Sequence, residues 1–74
     1  ELVTNMLSAD NNPLTERELA VLVEAEKGLP TKTIAANLYL SAGTTRNYLS
    51  AIFSKLGVHN RLEAIRVAKA NQWL

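Results

Sequence analysis

Cysteine is absent from the 74 residues, which excludes disulfides and thiolate metal sites and fits a reducing, cytoplasmic setting. The single histidine, His59, has no second histidine or carboxylate at ligand spacing. Neither a metal site nor a Ser/His nucleophile pair can therefore be assembled. The three glycines, Gly28, Gly43 and Gly57, are dispersed and make no phosphate-cradling loop. No apolar run approaches the ~20 residues that span a bilayer, and no charged-then-apolar leader opens the chain. Acidic side chains are missing from one long stretch, Lys32 to Asn60. These gaps leave no enzyme chemistry, cofactor, membrane partner or small-molecule substrate to assign.

What is present is enough for one small domain. Apolar residues make up 47% of the chain, so a modest core can form and disorder is not expected. The net charge of +1 conceals an asymmetry: six acidic against two basic residues up to Thr31, then six basic against one acidic from Lys32 onward. The basic half is the one expected to meet a polyanion. Residues 1–12 end in a structure-breaking Asp-Asn-Asn-Pro cluster and read as a linker remnant, with Leu2, Met6 and Leu7 packing loosely. The chain opens at Glu1 rather than Met, so a fragment of a longer protein is expected. The domain proper is placed at 13–74.

Four helices are predicted and no strand, because alternating patterns are missing. Thr15 and Glu18 have capping-box spacing, with Leu14 and Leu19 placed as a hydrophobic staple. Leu19, Val21, Leu22, Val23 and Ala25 then form a stripe that stops near Lys27-Gly28. After the Gly28-Leu29-Pro30 turn, Thr31 to Leu38 makes a short helix with Ile34, Ala35 and Leu38 inward. Ser41 caps a third helix, Ala42 to Leu56, which Gly57 terminates. Asn60 and Glu63 cap a fourth helix bearing Leu62, Ala64, Ile65, Val67 and Ala68 and running to about Ala70. Trp73 is read as a lid on the core. The second and third helices with their short turn form a helix-turn-helix.

The third helix is the informative one. With Arg46 at 0° and about 100° per residue, Ser50, Gly43, Ser54 and Asn47 fall within roughly 0–100°. Tyr48, Ile52, Thr45, Leu56, Leu49 and Phe53 fall within roughly 200–340°. The polar face carries what a major-groove reader uses: Arg reaches two acceptors of guanine, Asn pairs with adenine, and Ser bonds several base edges. Arg46, Asn47 and Ser50 are the expected base readers. Thr31, Lys32, Thr44 and Lys55 are the expected contacts to the DNA backbone. On the fourth helix, Val67 and Ala70 point away from the inward arc and are the expected dimer contacts, too slight to hold a stable dimer without DNA.

Leu14 to Glu18, Val21-Leu22, Gly28, Lys32, Ile34-Ala35, Leu38, Ser41, Thr44, Lys55 to Val58, Asn60-Arg61 and Glu63-Ala64 resemble the signature of the LuxR-type (NarL/FixJ) helix-turn-helix. The resemblance covers Pro13 to about Lys69. It implies an all-α, four-helix DNA-binding domain of a bacterial response regulator, with the helix Ala42 to Leu56 in the major groove of double-stranded DNA. It further implies a missing N-terminal receiver domain, a weak homodimer strengthened on DNA, and contact with RNA polymerase. The run from Gly43 to Tyr48 and the terminal Trp73 resemble the DesR-like branch, which answers to a membrane-embedded histidine kinase. Four positions depart from the family pattern: Pro30 where a capping Ser is common, Thr45 where an aliphatic residue is usual, Glu24 where Leu is usual, and Ser50 where some members carry Lys. A sigma-factor region-4-like promoter module and a helical protein-interaction module are the alternatives.

Overall fold

The computed structural model describes residues 12–74. The linker expected over residues 1–12, with Leu2, Met6 and Leu7, lies outside the described residues apart from Asn12. Helices α1 (Glu16–Glu26), α2 (Thr31–Asn37), α3 (Ala42–Leu56) and α4 (Arg61–Ala70) follow one another, with no strand among the described residues.

Local chemistry starts three of the helices. Thr15 and Glu18 form the full capping box at α1: Glu18 N–H donates to Thr15 Oγ1 at 3.1 Å and Thr15 N–H to Glu18 Oε1 at 2.9 Å. Ser41 Oγ accepts from Thr44 N–H at 3.0 Å and caps α3. Asn60 Oδ1 accepts from Glu63 N–H at 2.9 Å and caps α4. The Glu63 carboxylate does not return to Asn60 but takes the N–H of His59 at 3.0 Å. At α2 the cap position is Pro30, which makes no side-chain capping bond, so the substitution of Pro for Ser removes the cap rather than passing it to Thr31.

The helix ends share one device. Gly28, Tyr39, Gly57 and Gln72 all have positive φ, at 82°, 59°, 67° and 62°. Each is followed by an apolar residue, Leu29, Leu40, Val58 or Trp73, packed against the core. After α2, α3 and α4 the apolar residue's N–H also reaches back to close the last turn: Leu40 to Ala35 O at 2.8 Å, Val58 to Phe53 O at 3.0 Å and Trp73 to Ala68 O at 2.8 Å. This is the left-handed helix stop with its hydrophobic anchor, and it gives Trp73 its place as a lid.

Between these stops the inward faces converge. Val21, Leu22, Ile34, Ile52, Ala64 and Ala68 are wholly buried, joined by Leu14, Ala25 and Leu49. Leu14 and Leu19 both join this cluster, as the staple requires. Helices α1 and α3 each pack on all the others, whereas α2 and α4 do not pack on each other. One large apolar residue of α4 stays outside: Leu62 is 58% exposed. It lies about 160° around α4 from Ala64, so turning the two alanines inward turns Leu62 out.

Candidate nucleic-acid interface

The interface is built on α3, whose 15 residues span about 22 Å. Thr45, Leu49 and Ile52 bury its inner face, with Tyr48, Phe53 and Leu56 packed against the core beside them. Arg46, Asn47, Ser50 and Ser54 are all exposed on the other side. The face selected by helical geometry is thus the outward one.

Thr45 fits an aliphatic position by hiding its hydroxyl. It is fully buried, and its Oγ1 donates to the Ser41 carbonyl at 3.0 Å. That carbonyl also accepts the Thr45 N–H at 3.0 Å. At the same end, Ser41 Oγ donates to Thr44 Oγ1 at 2.9 Å. Thr44 is exposed, and its own hydroxyl hydrogen remains available to an acceptor outside the domain.

The charged side chains sort by partner. Lys27, Lys55 and Lys69 pair with Glu24, Glu18 and Glu26 of α1, at 2.9, 2.7 and 2.8 Å. Lys32 and Arg46 are exposed and enter no ion pair among the described residues. Glu24, standing where Leu is usual, accepts from Lys27 Nζ and from Asn37 Nδ2 at 2.9 Å each. Those bonds hold its carboxyl below the ordinary glutamate range and link α1 to α2.

Lys55, expected as a contact to the DNA backbone, has a partner inside the domain. It lies about 180° around the helix from Arg46, and its ammonium meets Glu18 rather than pointing along the polar face. Glu18 is 5% exposed. Burial raises its pKa, but the bonds from Lys55 and the Thr15 N–H and the Lys55 charge together outweigh burial and lower it.

Thr31 also has an internal partner. The Arg61 guanidinium donates to Thr31 Oγ1 at 2.8 Å and to the Leu29 carbonyl. It thereby bridges α4 to the start of α2, two helices that do not otherwise pack together. The sequence reading did not find this clamp. The sequence carries no local signal for it, since its partners lie 30 residues apart. On α4, Ala64 and Ala68 face the core, Ala70 is exposed, and Val67 is half-buried.

Among the described residues there is no open pocket and no group of side chains able to hold a metal ion, and no helix is long and apolar enough to cross a membrane.

Comparison with known proteins agrees with this architecture. Residues 12–68 match the GerE family, described as bacterial regulatory proteins of the luxR family. The chain is 49% identical over its whole length to the transcriptional regulatory protein YvfU of Bacillus subtilis, covering 36% of that protein. It is 47% identical to the transcriptional regulatory protein DesR of the same organism, over 99% of this chain and 36% of that one. Among solved structures, the response regulator ChrA of a heme-sensing two-component system superposes with a TM-score of 0.81 and 38% identity, over 85% of this chain and 31% of that one. The chain therefore spans about a third of the length of these relatives. Its similarity to DesR is no greater than its similarity to YvfU. The four helices, the outward polar face of α3 and the match over 12–68 lead to one conclusion: the chain is a helix-turn-helix DNA-binding domain belonging to the luxR family of bacterial regulatory proteins.

Proposed function

We propose that this domain is the C-terminal output module of a cytoplasmic response regulator, with α3 lying in the major groove of its operator. Arg46, Asn47 and Ser50 read bases there, while Thr31, Lys32 and Thr44 hold the sugar-phosphate backbone. The observation that carries this reading is the face of α3 itself. It exposes a guanidinium, a carboxamide and hydroxyls, with no carboxylate from Lys32 to Asn60, in a protein whose other lysines are neutralised by the acids of α1. Thr31 takes part through its hydroxyl hydrogen, its oxygen being already the acceptor of Arg61.

Two copies bind together. Val67 and Ala70 of α4 supply a small apolar contact, with Leu62 and Ala70 about 80° apart on the outward side. The area is too slight for a stable dimer in solution, so association occurs on adjacent half-sites about one helical turn apart, where DNA raises the effective concentration. Contact with RNA polymerase follows from the same role in transcription.

Enrichment of bound sequences from random duplex DNA, followed by affinity measurements across a salt series, tests the reading. A preferred site should emerge, and log affinity should fall with log salt at about 0.9 per phosphate contacted. Absence of any enriched site, together with affinity that is flat in salt, would overturn it.

A further inference from the structure

We propose that Glu18 and Lys55 form a positioning pair that fixes how α3 is presented to DNA, and that Lys55 is not itself a phosphate contact. The inference rests on the DNA-binding reading of α3 and assigns a role within it.

The geometry isolates Lys55 from the reading face. It leaves α3 about 180° from Arg46, on the side that packs against α1. Its Nζ lies 2.7 Å from Glu18 Oε1. The same carboxylate oxygen accepts the Thr15 N–H at 2.9 Å, so one atom joins the cap of α1 to the last turn of α3. The residues connected are 37 apart in sequence. No other hydrogen bond or ion pair among the described residues ties a side chain of α3 to α1. The pair therefore supplies direction where apolar packing of Leu49 and Ile52 supplies only adhesion.

Burial makes the pair hard to open. The Glu18 side chain is 7% exposed, against 36% for that of Lys55. Moving the ammonium to a phosphate would leave a buried carboxylate without its counter-charge, the costly way to break such a pair. The Glu18 carboxyl is held below its ordinary range, so it stays charged at neutral pH. Lys32 and Arg46 carry no such tie among the described residues.

The test uses the 74-residue chain, the duplex site that it enriches, and a scrambled duplex, each titrated across a salt series. Lys55→Met keeps the aliphatic stem and removes the charge. Its salt slope should match the wild type, while discrimination between the two duplexes falls severalfold. Glu18→Gln keeps a carbonyl acceptor for the Thr15 N–H and releases Lys55. Its discrimination should also fall, and its slope should steepen by about 0.9 as the freed ammonium finds a phosphate. Lys55→Arg, which preserves the pair, should restore discrimination. Melting curves establish that each variant is folded at the temperature of binding. A Lys55→Met slope shallower by about 0.9 with discrimination retained would overturn the inference and make Lys55 a phosphate contact. Discrimination preserved in both Lys55→Met and Glu18→Gln would overturn the positioning role. A wild-type chain that bound neither duplex would overturn the DNA reading itself, a result distinct from either of these.

Discussion

The Thr45 hydroxyl donates to the Ser41 carbonyl four residues back, at 3.0 Å, in a position with no solvent access. The acceptor does not depend on it, because the Thr45 N–H reaches the same oxygen at 3.0 Å. Replacing the hydroxyl by a methyl group would leave no buried group unpaired and would preserve the shape. Thr45→Val should therefore change stability by no more than about 1 kcal/mol, in either direction. Urea denaturation measures this, and a loss well beyond that range would show that the side-chain bond sets the first turn of α3.

Arg46 and Lys32 should separate reading from holding. Arg46→Ala should cost about 1–3 kcal/mol on the preferred site and relax selectivity at one base pair, as loss of a bidentate base contact does. Lys32→Ala should weaken all sequences alike and shallow the salt slope by about one. Exchange of these two phenotypes would mean that α3 enters the groove in another orientation.

Tyr39 sits at φ 59°, a conformation that costs an L-residue about 1–2 kcal/mol. Its side chain is 95% exposed, so almost no packing would be lost on removing it. Tyr39→Gly relieves the strain and gives back about 0.5–1 kcal/mol through the greater freedom of glycine in the unfolded chain. A net gain of up to about 1.5 kcal/mol should result, each 1 kcal/mol being worth roughly 4–8 °C in melting temperature for a domain of this size. A lower melting temperature would show that the tyrosine ring contributes to the fold.

Glu18 predicts a pH dependence. Its folded-state pKa is lowered, so the unfolded chain binds more protons here and stability rises with pH across the titration. The contribution is complete above the ordinary glutamate value of about 4.3 and is lost as pH falls through the lower folded value. Glu18→Gln should be less stable than the wild type at neutral pH, and the two should converge in acid. Denaturation midpoints between neutrality and pH 3 would reveal parallel curves if the pair does not couple to folding.

Val67→Glu addresses pairing on DNA. Two introduced carboxylates would repel across a two-fold contact, while one copy would still reach a single half-site. Cooperativity on paired half-sites should disappear with single-site affinity intact. Undiminished cooperativity would move the contact elsewhere on the domain.

The features that were legible in the sequence are those written within four residues. The Thr15, Ser41 and Asn60 caps and the Gly57 stop each depend on a residue and its near neighbours. The outward face of α3 follows from periodicity alone. What was not legible joins distant positions or breaks a residue's usual habit. The Arg61 clamp spans about 30 residues and the Glu18–Lys55 pair 37, and nothing local to either partner announces the other. The half-turn from Arg46 to Lys55 is written in the periodicity, but the partner that Lys55 meets on α1 is not. Tyr39 and Gln72 adopt the left-handed conformation without being glycine or asparagine, so neither carries the usual residue signal for it.

Each connection between helices carries an apolar residue seated on the core: Leu29, Leu40 or Val58. The connections consequently have no slack. An extra residue between Tyr39 and Ser41 would either lift Leu40 off its seat or displace the cap of α3, so the ordinary route of surface-loop insertion is closed to this fold. Exchange of single exposed side chains remains open. Positions 46, 47 and 50 can change without disturbing a packed neighbour, while the backbone beneath them stays fixed. A scaffold of this kind acquires new preferences one side chain at a time, each variant inheriting an unaltered frame.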